Sequence, residues 1–75
     1  MDSIIQSIIQ RRKRLGWSTI KLAEKSEVPY SAIVRMERGT GYWEEYIKRI
    51  DSTLNKAIKS LFTIEKEQKQ TQLQL

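Results

Sequence analysis

The sequence VPYSAIVRMERG, residues 28–39, predicts one short helix with two unlike faces. Ile33 and Met36 lie three positions apart, so both can face a core. The other side of this helix carries a mixed basic, polar and apolar set at spacings of three, four and seven: Tyr30, Ser31, Val34, Arg35 and Arg38. Gly39 is expected to end the helix, because glycine enters the left-handed conformation without a steric cost.

The outward face of this helix has the residue types that contact DNA bases. An Arg can donate to both acceptors of guanine, a hydroxyl can pair with several base edges, and apolar groups contact thymine methyls. The expected base-contacting residues are Tyr30, Ser31, Val34 and Arg35. An ordinary amphipathic helix with a solvated face would show the same period. The residues before the helix must decide between the two interpretations.

Length and composition restrict the class of protein. Seventy-five residues suit one domain with a modest core, which is small for a multi-step enzyme. Since the chain has no Cys and no His, it lacks disulfides, thiol nucleophiles and the usual zinc ligands, and we expect no metal, no cofactor and no catalytic residue. Long apolar runs are missing, which predicts a cytoplasmic, nucleoid-associated protein without membrane binding.

The charge is uneven along the chain. There are 14 basic and 9 acidic residues, a net charge of +5. Residues 1–42 hold eight basic and four acidic residues, which leaves +4, whereas residues 43–75 hold six and five, which leaves +1. A basic front half implies a polyanionic partner, and nucleic acid is the commonest one. Membrane-surface binding would need one long basic helix, but these basic residues are spread over several short segments.

A first helix is predicted over residues 3–15. Its apolar stripe consists of Ile4, Ile5, Ile8, Ile9 and Leu15. Arg12 continues this stripe and therefore points toward the core, where an unpaired charge would cost several kcal/mol. Arg12 must therefore find a partner. Arg11 and Arg14 are expected to project outward, where they could contact phosphates or only increase solubility.

A second short helix is predicted over residues 18–26, with Ser18 as its N-cap. The residues of this segment that are expected to be buried are Ile20, Leu22, Ala23 and Val28. Only a short turn without glycine separates it from the helix over residues 29–38. Two short helices joined by a three- to four-residue turn are what a helix-turn-helix requires.

One spacing pattern extends through all three helices: Ile9-x-x-Arg12-x-x-x-Gly16-Trp17-Ser18-x-x-x-Leu22-Ala23-x-x-x-x-Val28-x-x-Ser31-x-Ile33-x-x-Met36-Glu37-Arg38-Gly39. It resembles the Cro and lambda-repressor-like helix-turn-helix family, also called the xenobiotic-response-element (XRE) family, over roughly residues 5–62. The resemblance implies that the second helix crosses the DNA backbone and the third enters the major groove. It also implies an ion pair between Arg12 and Glu37. The expected phosphate contacts are Ser18, Thr19, Arg38 and Thr40.

Two positions depart from the pattern of that family. Thr19 stands where the family usually has Gln, and a threonine can donate only one short hydroxyl hydrogen bond. Pro29 replaces the usual Ser or Thr cap of the third helix. Proline suits a first helical turn, so the helix is still expected to form.

Further helices are predicted over residues 43–54 and 56–64. Trp43 is in phase with Ile47, Ile50 and Leu54, which favours core packing, although Tyr42 and Trp43 could stack on bases in a single-strand binder. Asn55 is expected to end the fourth helix, the alternative being one bent rod. The fold prediction is an all-α, compact bundle of about five helices, forming one domain over residues 1–64.

The end of the chain changes in character. Residues 65–75 are nearly all polar, which predicts a frayed or disordered tail. Alternatively, Phe62, Ile64 and the last two leucines could help a second subunit dock, but their spacing gives no sustained heptad.

Together these expectations describe a sequence-specific regulator of transcription that binds double-stranded DNA. A lone domain of this size makes few base contacts, so we expect a homodimeric repressor on a palindromic operator. The resemblance is compatible with a phage or mobile-element repressor, a restriction-modification controller, or an antitoxin with a toxin partner. The rival class is a protein-interaction adaptor. An enzyme is not expected, because the Glu and Lys residues form no catalytic constellation.

Overall fold

The computed structural model describes the backbone of residues 3–73 and the side chains of residues 3–62. Four helices follow one another along the chain: α1 (Ser3–Arg14), α2 (Thr19–Ser26), α3 (Tyr30–Glu37) and α4 (Glu44–Leu73). Over residues 3–73 there is no β-strand. α4 packs against α1 and α2, and α3 packs against α2 and α1, which produces a compact all-α globule.

The start of α2 has the predicted cap. Ser18 has an extended backbone, and its Oγ accepts a hydrogen bond from the backbone N–H of Lys21 at 3.0 Å. This satisfies one of the N–H groups that the first turn of a helix leaves without an intrahelical partner. Gly16, with φ +72°, makes the turn between α1 and this cap. The predicted role of Ser18 as the N-cap is therefore confirmed.

The turn between α2 and α3 contains three residues, Glu27, Val28 and Pro29. Glu27 adopts a left-handed conformation with φ +57°, which is uncommon for a residue that has a Cβ. Val28 is buried and anchors the turn in the core. Pro29 is the N-cap of α3, so the helix begins at Tyr30, one residue later than the predicted start at residue 29.

The core is formed by one face of each helix together with Val28 of the turn. Its buried hydrophobic members are Ile5, Ile8, Leu22, Val28, Ile33, Met36, Ile47, Ile50 and Leu54. The inward assignment of Ile33 and Met36 is confirmed. Ile20 was expected to be buried and is 58% exposed. Leu22 defines the inward side of α2, and a residue two positions away is rotated by about 200° around a helix.

Trp43 is the second wrong burial prediction, since it is 66% exposed. It lies one helical turn before Ile47 in sequence, but α4 begins only at Glu44. Trp43 itself is not part of the helix, so its side chain does not continue the buried stripe. Gly41, with φ +130°, lies in the segment that leads into α4.

The predicted count of about five helices is also wrong, because residues 44–54 and 56–64 belong to the single helix α4. Asn55 does not form a left-handed cap. Its side-chain amide donates to Asp51 Oδ2 at 3.4 Å, one turn earlier, and its Oδ1 accepts from Arg11 at 2.7 Å. α4 contains no glycine or proline, so nothing in its backbone chemistry forces a break there.

The predicted polar tail over residues 65–75 falls where no side chain is described, and residues 74–75 lie outside the described residues altogether. The backbone of α4 is helical to Leu73. The described part of the chain measures 52 × 23 × 18 Å, so this helix sets its longest dimension. Among the described residues, no helix combines the length and the apolar character needed to cross a membrane.

Candidate functional site

The outward face of α3 is the feature that the sequence marks for function. Tyr30 is half exposed, Ser31 and Arg35 are exposed, and Val34 is partly buried between them. These four residues and Arg38 fall within an arc of about 140° at 100° per residue, opposite the buried pair on the inward side. The structure therefore brings the predicted base-contacting residues together on one solvent-facing surface.

This surface is held in place by the ion pair between α1 and α3. Arg12 donates from Nε to Glu37 Oε2 and from Nη2 to Glu37 Oε1, both at 2.9 Å. Its third nitrogen donates to the backbone oxygen of Trp17 at 2.9 Å. The side chains of Arg12 and Glu37 are only 13% and 15% exposed. The predicted ion pair is present, and it fixes the last turn of α3 against α1.

The two arginines on the outward face differ from three of the other arginines in having no partner within the described residues. Arg11, Arg12 and Arg49 each form an ion pair within the globule. Neither Arg35 nor Arg38 has an ion pair or side-chain hydrogen bond among the residues whose side chains are described. Two guanidinium groups, with five N–H donors each, are thus left facing solvent on one helix.

The four predicted phosphate-contacting residues are in different states. Ser18 Oγ accepts from the backbone of α2, so its hydroxyl hydrogen remains available to a ligand. Thr19 is partly buried at the first position of α2, and Arg38 is exposed. Thr40 donates its hydroxyl to the backbone oxygen of Arg35 at 2.9 Å. A hydrogen bond from Thr40 to a phosphate would require that contact to break.

Arg11 was expected to project outward, and this expectation is wrong. Its Nη1 lies 2.8 Å from Asp51 Oδ1 and 2.7 Å from Asn55 Oδ1, so it connects α1 to α4. The side chain is only 18% exposed. The helical period of α1 alone could not reveal this partner, because Asp51 lies forty residues away in sequence. Arg14 is exposed, as expected.

Sequence analysis missed a cleft beside α3. It lies between α3 and the segment that leads into α4, and its volume is about 440 Å³. Arg35 and Thr40 line it on the α3 side, and Tyr42, Trp43 and Tyr46 line it on the other. The rings of Trp43 and Tyr46 are tilted by 51° with their centroids 5.2 Å apart. The sequence signal for this cleft was the pair of glycines, Gly39 and Gly41, followed directly by Tyr42 and Trp43.

The described residues offer no cluster of three or more Asp, Glu, Cys or His side chains able to hold a metal ion. The chemistry available on this surface is hydrogen-bond donation from guanidinium, hydroxyl and aromatic N–H or O–H groups, together with apolar contact. Such groups can bind and orient a ligand.

Comparison with known proteins adds no identification: no protein-family model, no curated protein and no solved structure matches this chain.

Proposed function

We propose that the protein is a sequence-specific double-stranded DNA-binding regulator of transcription, in which α2, its turn and α3 form a helix-turn-helix. The proposal rests on one observation, the exposed and unpaired Arg35 on a face that also carries Tyr30, Ser31 and Val34. An arginine without an internal partner can give both of its parallel donors to the O6 and N7 acceptors of a guanine. α3 acts as the recognition helix.

The dimensions of α3 are compatible with this role. An α-helix with its side chains is about 10 to 12 Å in diameter, and the DNA major groove is about 12 Å wide, so α3 can lie in the groove. In this arrangement α2 crosses the sugar-phosphate backbone, with Ser18 and Thr19 at its first turn. The hydroxyl of Ser18 and the amide dipoles at that end of α2 favour an anionic phosphate oxygen.

The charge distribution favours the same partner. Residues 1–42 carry most of the positive net charge, and Arg35 and Arg38 are not neutralised within the described part of the chain. Unneutralised cations on one surface attract a polyanion and release its counterions. A protein partner of acidic character would be attracted in the same way, so the discriminating experiment measures binding to duplex DNA itself and the salt dependence of that binding.

Repression by occupancy is the mechanism proposed here. A domain of this size contacts few base pairs, so two protomers bind the two halves of a palindromic operator, and their presence blocks the promoter. A phage or mobile-element repressor works in this manner, and an autoregulating antitoxin does so as well. The genes that flank this one would distinguish these settings.

The test is binding to a fluorescently labelled random-sequence duplex at several salt concentrations. Each phosphate neutralised by Lys or Arg should contribute about −0.9 to the slope of log K against log salt concentration. We expect a slope of about −2 or steeper. A flat response, with no binding to the duplex at low salt, would contradict the proposal and favour the protein-interaction adaptor.

A charge-matched control separates the proposed surface from general attraction. Replacing Arg35 and Arg38 together by Gln should make the slope on this random-sequence duplex shallower by about 0.9, because Arg38 is the expected phosphate contact and Arg35 the expected base contact. Replacing Lys25 and Lys48 by Gln removes the same charge from a different surface, where these residues border a shallow depression between α2 and α4. That double variant should retain most of the slope. If the two double variants change the slope equally, DNA is attracted by the overall charge and not by the outward face of α3.

A further inference from the structure

The cleft between α3 and the start of α4 combines an apolar floor with a single charge at its edge. Met36 and Ile50, both core residues, form part of the floor, so the cleft reaches the hydrophobic core. Arg35 is the only charged side chain among its described lining residues, and no Asp or Glu is among them. A ligand that fits this cleft should be apolar at its inner end and negatively charged at the mouth.

We propose that this cleft binds a small planar aromatic anion, with its ring against Trp43 and Tyr46 and its negative group on Arg35. The volume of about 440 Å³ lies within the range of about 300 to 1,000 Å³ that is typical of small-molecule sites. The guanidinium fork of Arg35 matches a carboxylate or phosphate by two parallel hydrogen bonds, and it has no competing internal acceptor among the described side chains.

The aromatic side of the cleft provides the second part of the recognition. Trp43 is 66% exposed, an unfavourable state for so large an apolar side chain, and Tyr46 packs partly against the core. Their tilted rings leave edges and faces at the mouth against which a planar group can pack offset or edge to face. Binding would cover Trp43, so the hydrophobic contribution and the charge pairing would act on the same ligand.

The cleft shares Arg35 with the outward face of α3, and this sharing has a regulatory consequence that rests on the proposed function. A guanidinium that is paired with a bound anion cannot donate to a guanine at the same time. Ligand and operator should therefore compete, and the ligand would act as an inducer that releases DNA. Reciprocity requires operator DNA to weaken ligand binding by the same factor.

The experiment follows the indole N–H signal of Trp43 in ¹H–¹⁵N spectra of the labelled full chain, and Trp17→Phe identifies which of the two indole signals is which. The probes are indole-3-acetate and phenyl phosphate as anions, with indole-3-acetamide as the neutral isostere. We expect a saturable shift of the Trp43 signal with a Kd below about 1 mM for at least one anion. The amide should bind at least about tenfold more weakly than the acetate.

Two variants of equal charge provide the matched control. Arg35→Gln should weaken binding of the anion by at least about tenfold, because it removes the paired donors. Arg38→Gln should leave it within about twofold, because Arg38 is on the same helix but does not line the cleft. Equal losses in both variants would indicate general attraction to a basic surface and would overturn the inference. It is also overturned if neither anion saturates by about 10 mM, or if the amide binds as well as the acetate.

The outcomes for this site and for the proposed function are separable, because the probe titration uses no DNA. If an anion binds in the cleft but the protein binds no duplex, the ligand site stands and the DNA proposal fails. If the duplex binds with a steep salt slope but no anion saturates the Trp43 signal, the reverse holds.

Discussion

Arg12 and Glu37 are joined by two hydrogen bonds of 2.9 Å across the boundary between α1 and α3. Glu37 is the last residue of α3, where the helix dipole disfavours a negative charge. Arg12 offsets this unfavourable placement and also binds the backbone of Trp17, so one guanidinium holds α1, the turn before α2 and the end of α3. The direction in which α3 presents its outward face therefore depends on this pair.

The first prediction concerns the removal of either partner. Arg12→Met or Glu37→Gln should each reduce the free energy of unfolding by about 3 kcal/mol, because each leaves the other polar group largely buried without its partner. The double variant should recover part of the loss, since two less polar residues need no pairing. Urea unfolding followed by circular dichroism measures all three.

The exposed pair between Glu45 and Arg49 is the control for this first prediction. Its side chains are 75% and 49% exposed, so Glu45→Gln should change stability by less than about 0.5 kcal/mol. If the two single losses at Arg12 and Glu37 are simply additive in the double variant, the pair has no coupling energy and the anchoring argument is wrong.

The second prediction concerns the left-handed residue in the turn between α2 and α3. Glu27 has φ +57°, and its side chain makes no hydrogen bond or ion pair among the described residues. Glu27→Gly should raise stability by about 1 kcal/mol, because glycine adopts this conformation without the Cβ clash. Glu27→Ala retains the Cβ and should give no such gain. Equal midpoints for wild type and Glu27→Gly would show that the turn carries no strain.

Several features of the fold follow directly from local sequence signals. Ser18 has the side chain that caps a helix, and Ile33 and Met36 have the spacing that buries one face of α3, so their structural roles could be predicted. Arg12 could be assigned a partner because it continues an apolar stripe. In these cases the physical cause lies within a few residues of the effect, or in a charge that must be neutralised.

Other features depend on contacts that no local pattern contains. Arg11 lies on the polar side of α1, and only the path of α4 brings Asp51 to within 2.8 Å. Trp43 was assigned to the core because the helical period of Ile47, Ile50 and Leu54 was extended back to it, although Trp43 precedes the first residue of α4. Asn55 has a low helix propensity, but its contacts to Arg11 and Asp51 hold it inside a continuous helix. Tertiary contacts override propensity at such positions.

The third prediction uses this finding to separate a structural from a DNA-contacting arginine on α1. Arg11→Gln should reduce stability by about 1 kcal/mol, because it breaks a partly buried connection to α4. Arg14→Gln, which removes the same charge from an exposed position, should change stability by less than about 0.5 kcal/mol. Thermal unfolding of both variants decides the matter. A larger loss for Arg14→Gln would contradict the assignment.

The fourth prediction follows from the proposed dimer on DNA. Two protomers related by a two-fold axis should place their α3 helices in successive major grooves, roughly 34 Å apart. Hydroxyl-radical footprinting on a duplex selected from a random-sequence pool should show two protected half-sites about one helical turn apart. Protection of a single half-site, with one protomer bound at saturation, would exclude this arrangement.

The fifth prediction distinguishes base contact from backbone contact on α3. Arg35 lies at the edge of the outward face that borders the cleft and Arg38 at the end of the helix, and both are exposed and unpaired within the described residues. Arg35→Ala should weaken binding to the selected operator by about 1 to 3 kcal/mol with little change on random duplex, because a base contact contributes only at the correct sequence. Arg38→Ala should weaken binding to both duplexes by a similar factor, since phosphates are present in every sequence. Fluorescence anisotropy at one fixed salt concentration measures both ratios. Equal losses on the two duplexes for Arg35→Ala would make it a phosphate contact, and sequence recognition would then have to come from Tyr30, Ser31 and Val34.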